Sequence, residues 1–360
     1  MKQVNKFTII AIAAILTACG GGGGGESGNN ENSGSDGGNS GIEKPTTPPV
    51  SNNEYPMQPT ESTYVDSQRK VIFDTINSYR TTCGFSAIRQ NSLTDTAAQG
   101  HSNYLEKNQA SGHIQSSSNV GFTGASLKDR ALNAGYQWKM LGEIANTRNS
   151  GSLISGTSPS GIETSDTASS GKEMINRLFS TVYHLAVATD EWSEMGVGLS
   201  QSANLTPVIG KTLFYTSSVV NFGVPSGSDQ PLYKGGKVRS FPCEGVNGVS
   251  PIFTAELPSP YPSRNFDTDP MGTPIGFVSK DQSALVIQNA TYSDVGTGTS
   301  LAVKIFNSKD DPHATLKDSQ AFVIPEKPLE PNTSYKVTAS GTDGNNSFQY
   351  SFIFKTGSQN

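Results

Sequence analysis

The sequence predicts an α+β chain in two globular parts, a three-layer α/β sandwich followed by a small all-β sandwich. Three observations carry this. Helical spacing alternates with short strand-like runs between Asp66 and Val224. From Thr273 onward, apolar residues recur at every second position instead. Ahead of both lies a glycine-rich stretch with almost nothing to bury, which sets the globular parts apart from the N-terminus.

At that N-terminus Lys2 and Lys6 flank an apolar run over residues 7–16, which ends in Thr17 and Ala18. A basic start, a short apolar centre and small residues before a cut mark a secretory signal, expected over residues 1–18. The run is well short of the roughly 20 apolar residues that a spanning helix needs. Leu16-Thr17-Ala18-Cys19 resembles the bacterial lipobox, in which the cysteine behind the cut receives acyl chains that anchor the protein by about 0.8 kcal/mol per buried methylene. Cys19 is therefore expected to be lipidated and the protein held in the cell envelope, on the outer membrane if the cell has two. Ordinary secretion with a fortuitous cysteine is the alternative. Gly20 to Gly25, a Gly/Ser/Asn/Glu stretch and then Pro45, Pro48 and Pro49 read as a flexible tether over residues 19–64, spanning roughly 30 Å.

The chain is 34% hydrophobic and 16% charged with a net charge of −5, which allows two domains of ordinary size in its 360 residues. An acidic chain with no basic, aromatic-interleaved patch is poorly suited to phosphate backbones, so nucleic acid is not an expected partner. With Cys19 used, Cys83 and Cys243 remain in a compartment where thiols oxidise. One disulfide between them is expected, and two separate buried thiols are the alternative.

The first part is expected over residues 65–225. Ile72, Phe73, Ile76 and Tyr79 recur at spacings of three and four and predict a helix over Ser67–Thr82, with Gly84 just beyond. Further helices are predicted over residues 93–108, Leu127–Asn133, residues 171–183 and, more weakly patterned, residues 185–192. Strands are predicted over residues 136–144, 197–200, 208–215 and 217–224.

Landmarks run through this part in a definite order. Asn77-Ser78-Tyr79-Arg80 leads to Cys83-Gly84, then Ala97-Ala98 stands ahead of His101-Ser102, with His113 following. Gly135-Tyr136, Gly142-Glu143-Ile144, Gly171-Lys172-Glu173 leading to His184, and Met195-Gly196-Val197-Gly198 complete the series. In this order and spacing the segment resembles the CAP superfamily (cysteine-rich secretory proteins, antigen 5, pathogenesis-related 1), in its bacterial SCP-like extracellular branch. The resemblance implies an α-β-α sandwich with a central cleft that holds two histidines and usually two glutamates. By motif these fall on His113, His184 and Glu143. The second acid would fall near Thr181, and Ile144 stands where the family commonly has asparagine, so the chain departs from the full set.

Two imidazoles and a carboxylate brought together can bind zinc or another divalent ion with one position left open, and Glu143 would then be the candidate catalytic base. Each of the three also has a plain structural alternative, a hydrogen-bonded histidine or a carboxylate accepting bonds at a strand end. His101 is expected to be structural, and His313, in the charged turn after Lys309-Asp310-Asp311-Pro312, to be solvated. No G-x-S-x-G elbow is present, which leaves nucleophilic catalysis without support. The Gly/Ser/Thr stretch over residues 150–170 is expected to be a surface loop, over the cleft or away from it.

Residues 226–262 are rich in proline and glycine and are expected to be an extended linker. Over residues 263–358, Leu301, Val303 and Ile305, then Tyr335, Val337 and Ala339, then Phe348, Tyr350, Phe352 and Phe354 mark half-buried strands. The run Leu329-Glu330-Pro331-Asn332-Thr333-Ser334-Tyr335 resembles the corner before a late strand in bacterial immunoglobulin-like domains, implying a small Ig-like sandwich. The expected partners are the membrane, through the anchor, and a lipid, peptide or cell-surface ligand in the cleft. A surface adhesion role and a metal-dependent hydrolase are the alternatives.

Overall fold

The structure is a computed structural model that describes residues 61–153, 167–206, 211–228, 238–253 and 255–358. The expected signal, the lipidation position Cys19 and most of the tether lie outside the described residues, as do residues 154–166 of the Gly/Ser/Thr stretch. Among the described residues no helix is long and apolar enough to cross a membrane.

Helix α1 (Ser67–Thr82) starts where the Asp66 carboxylate accepts the N–H groups of Gln68 and Arg69. Strand β1 (Arg89–Gln90) precedes α2 (Ser92–Asn108), which is capped by Asn91 and released at Gln109 in the left-handed region, φ 47°. Helix α3 (Leu127–Asn133) carries a reciprocal capping box between Ser126 and Asp129. Strand β2 (Trp138–Leu153), α4 (Thr167–Phe179), α5 (Val182–Ala188), β3 (Glu194–Thr206) and β4 (Lys211–Pro225) complete the first part. Its sheet has the order β1-β3-β4-β2, with β1 parallel to β3 and the other pairings antiparallel.

Helices cover both faces of this sheet, and the alternation along β3 is the reason. Met195, Val197 and Leu199 are buried in one core with Ile72, Phe73 and Ile76 of α1 and Ile175 and Leu178 of α4. Gly196 and Gly198 point the other way, against α2. A Cβ at these positions would meet Asp95 N at 2.1 Å and Ala98 O at 2.2 Å, so the missing side chains let the helix backbone lie directly on the strand. The Met195-Gly196-Val197-Gly198 run is therefore a packing device.

Several readings of local structure change. Residues 150–153 of the expected Gly/Ser/Thr loop belong to β2 and residues 167–170 to α4, and the helix expected over residues 185–192 runs earlier, over Val182–Ala188. The single helix expected over residues 171–183 breaks after Phe179, because the hydroxyls of Ser180 and Thr181 donate to the carbonyls of Arg177 and Leu178 and end the last turn. The two strands expected over residues 208–215 and 217–224 are one strand, β4. The polar run Thr216-Ser217-Ser218 looks like a turn in sequence, but here it is buried and paired on both sides, to β2 and to β3.

The second part contains β5 (Arg239–Phe241), β6 (Asn247–Val249), β7 (Ile252–Phe253), β8 (Met271–Gly272), β9 (Ile275–Val278), β10 (Leu285–Asp294) and β11 (Val303–Asn307). A 3-10 turn (Ser308–Asp310) then leads to β12 (Gln320–Pro325), β13 (Ser334–Asp343) and β14 (Asn346–Thr356). Two four-stranded sheets form, in the orders β10-β13-β14-β6 and β11-β12-β9-β5. Phe277 of one sheet meets Tyr350 and Phe352 of the other edge-on. The architecture is thus mixed α/β, and among the described residues the α-helices lie in the first part.

The expected linker over residues 226–262 supplies β5, β6 and β7. Edge pairing explains the change: β5 joins antiparallel to β9 and β6 parallel to β14, so a proline- and glycine-rich stretch is recruited as edge strands, where such residues are tolerated. Nor do the two parts have separate cores. One buried cluster runs through both, with Phe241 packed against the rings of Tyr79 and Phe179 at 5.0 Å each. Cys83 and Cys243 form a disulfide with Cα atoms 5.5 Å apart, closing a sequence separation of 160. Beside it, Glu191 pairs with Arg239 at 2.9 Å, both of them buried. Arg80 lies close by and donates to the carbonyls of Ala188 and Asp190 at 2.6 and 2.9 Å. Burial lowers the Arg80 guanidinium to about 10 against the attraction of Glu191, and the same burial raises the Glu191 carboxyl.

Candidate functional site

Glu143 lies on β2 opposite Asn221 of β4, with its side chain on the α2 side of the sheet. It is buried and fully engaged. Arg130 of α3 donates from one terminal nitrogen to both carboxylate oxygens at 2.8 Å, and its other terminal nitrogen donates to the His113 carbonyl at 3.0 Å. His113 Nδ1 stands 2.9 Å from Oε1. Asn221, with its amide turned so that both ends are satisfied, donates to Oε2 at 2.8 Å and accepts from Ala98 N–H at 3.2 Å. Burial by itself would raise this carboxyl. The hydrogen bond from His113 and the charge of Arg130 outweigh that and hold it at about 2.

His113 is carried by the connection between α2 and α3. Because Glu143 is ionised, Nδ1 of His113 must be the protonated nitrogen, which leaves the Nε2 lone pair free to accept in the neutral ring. His184 on α5 reaches the same place, with ring centroids 6.0 Å apart. Its Nδ1 is 2.8 Å from Thr181 Oγ1. The Thr181 hydroxyl proton is already given to the Leu178 carbonyl at 2.8 Å, so this oxygen can only accept from the ring. His184 is therefore also protonated at Nδ1, and its Nε2 is also an acceptor. The His113 side chain is 37% exposed and that of His184 14%, so both can be reached from solvent.

His101 is of the opposite kind. It is fully buried, its Nε2 donates to the Gly112 carbonyl at 3.0 Å, and its Nδ1 accepts from Gln115 at 3.0 Å. Burial lowers it to about 4, so it stays neutral, as its expected structural role requires. His313 is exposed but not merely solvated: its Nε2 donates to the Ser259 carbonyl at 2.9 Å and its ring meets Tyr183 edge-on.

The structure thus brings His113, Glu143 and His184 into one neighbourhood, but not as ligands of one ion. Glu143 stands behind His113, with both oxygens turned to Arg130, whose positive charge opposes a cation at that point. Two imidazole nitrogens remain, one donor fewer than the three protein ligands of an open zinc site. Among the described residues no group of three or more His, Cys, Asp or Glu side chains is arranged to hold a metal ion. The expected ligand set does not fit. As a catalytic base Glu143 is equally unsuited, since a carboxyl held near 2 has little affinity for a proton.

Four residues of this neighbourhood carry no mark in the sequence. A buried carboxylate demands a buried cation, which would have pointed to α3, where Arg130 follows Lys128. Gln115 and Asn221 are ordinary polar residues whose roles are set by tertiary contacts. Glu256 comes from the expected linker, and its Oε2 lies 3.3 Å from His184 Nδ1.

No protein-family model and no curated protein matches the chain.

Proposed function

We propose that this is a membrane-anchored extracytoplasmic binding protein of the CAP type, whose cleft takes an amphipathic lipid- or peptide-like ligand through Nε2 of His113 and His184. One observation carries the reading: two solvent-accessible histidines, with ring centroids 6.0 Å apart, each have Nδ1 committed to a partner, so each offers Nε2 as an acceptor. Such a pair suits hydroxyl or amide donors on a ligand. Apolar surface is close at hand in the chain. Ile114, next to His113, is 57% exposed and Leu257, next to Glu256, is 81% exposed. The helices on both faces of the first sheet support the CAP assignment, the two facing sheets of the second part support the Ig-like one, and the lipobox supports the anchor.

A surface-contact role is the second reading. The core shared by the two parts favours it, since a rigid body presents a surface better than beads on a string. Hydrolysis with Glu143 as base has the least support, for the reasons of charge and engagement given above.

The test uses the full mature chain purified from membranes. Native mass spectrometry and solvent extraction are expected to find a bound amphiphile, with occupancy reduced about tenfold or more in the H113A/H184A variant, since two hydrogen bonds at about 1 kcal/mol each are lost. A wild-type chain that carries nothing, or a variant that retains the ligand equally, overturns the proposal.

A further inference from the structure

We infer that Glu256, supplied by the second part of the chain, is the positioning acid of His184, so that the histidine cleft is complete only when the two parts are docked. The inference rests on the two-histidine reading of the cleft. The sequence lacks an acid at Thr181, where the family resemblance would place one, and another carboxylate occupies that neighbourhood from a distant segment.

Glu256 is buried, its side chain only 1% exposed. Its Oε1 accepts the N–H of Val182 at 2.7 Å, and its Oε2 accepts that of Tyr183 at 3.0 Å. These are the first amides of α5, which Thr181 precedes without making a side-chain cap. The Thr181 hydroxyl is turned back to Leu178 instead, so the task of satisfying these amides passes to Glu256. The oxygen that accepts from Tyr183 N–H lies 3.3 Å from His184 Nδ1. Carboxylate and threonine oxygen together present only acceptors to that nitrogen. A proton on Nδ1 meets two favourable partners, whereas a lone pair there would face two others.

The segment carrying Glu256 is held from several sides. Upstream, β7 pairs with β8, and Cys243 is bonded to Cys83 at the end of α1. Downstream, the Ser259 carbonyl accepts from His313. Asp311, two residues before that histidine, accepts the hydroxyl of Tyr183, the neighbour of His184. On the far side of α5, Gln320 of β12 donates to the Ala186 carbonyl at 2.9 Å. The second part is thus bonded along the helix that presents His184, which gives it a role in the cleft beyond spacing.

The chain has four histidines, so selective ¹⁵N-histidine labelling of the full mature protein yields an assignable spectrum. In the wild type, His184 is expected with the proton on Nδ1. In E256Q, the amide oxygen must still face the N–H groups of Val182 and Tyr183, which places the amide NH₂ beside His184 Nδ1. The lone-pair nitrogen signal of His184 should then move from Nε2 to Nδ1, while that of His113 stays in place. In E256A only the Thr181 oxygen still faces Nδ1, and its hydroxyl can turn from the Leu178 carbonyl to donate to that nitrogen, so the two forms of His184 should mix, again with His113 unmoved. A wild-type spectrum with the proton on Nε2 of His184 overturns the inference by itself, even if neither variant folds. Folded variants in which His184 keeps its wild-type signature overturn it as well, reducing Glu256 to a helix cap. The readout needs no ligand, so an empty cleft would sink the binding reading and leave this result standing.

Discussion

Replacing Arg130 with methionine removes the cation that holds Glu143 in its buried, ionised state. The substitution keeps the length of the side chain and takes away two bonds of 2.8 Å to the carboxylate and one of 3.0 Å to the His113 carbonyl. Stranding a buried charge in this way costs about 3–5 kcal/mol. The titration of Glu143 gives the scale for its whole set of partners: a carboxyl held at about 2 instead of its ordinary 4.5, by the His113 hydrogen bond and the Arg130 charge together, contributes about 3 kcal/mol. The sign follows from the lowered value. This stability is fully present above pH 4.5 and is lost as the pH falls toward 2. Urea denaturation of wild type and R130M should therefore differ by about 3–5 kcal/mol at pH 7, and by roughly half that or less at pH 3. A difference below about 1 kcal/mol at pH 7, or one that does not shrink on acidification, would refute the account of how the site is held.

Three further outcomes are expected. His101, lowered from 6.5 to about 4 by burial, contributes stability that is present above pH 6.5 and lost on acidification to about 4. That loss should amount to about 3 kcal/mol and be absent in H101Q, separable in urea melts from the Glu143 step at lower pH. Removing the disulfide as C83A/C243A, with its sequence separation of 160, should cost about 2–5 kcal/mol in denaturation midpoints. A smaller loss would mean that the shared core alone fixes the two parts. E191M leaves Arg239 and Arg80 buried without their carboxylate and should cost about 3–5 kcal/mol, part of which returns in E191M/R239M. No recovery in the double variant would count against pairing as the cause.

What could be read from the sequence was what depends on neighbours in the chain. The apolar spacing of Ile72, Phe73 and Ile76 gives the bounds of α1. The order of landmarks singled out His113, Glu143 and His184, and the structure brings these together. What stayed hidden depends on residues remote in sequence. Arg130 determines the state of Glu143, and Asn221 completes its hydrogen bonds from the opposing strand. The segment that carries β5 to β7 resembles a linker because edge strands tolerate proline and glycine, and Glu256 within it has no periodic partner to mark it. The engagement of Glu143, which tells against the expected divalent-ion set, was hidden for the same reason. Residue types can suggest a ligand set, but only the geometry reveals that an arginine has already claimed the carboxylate.

The most direct test of the central claim is the ¹⁵N spectrum of the four histidines in the unmodified protein near neutral pH. His113 and His184 should both carry the neutral ring's proton on Nδ1 and leave Nε2 open, while His101 carries its proton on Nε2. A proton on Nε2 of either His113 or His184 would mean that the two histidines do not present a pair of acceptors to a ligand, and the account of the cleft would be wrong.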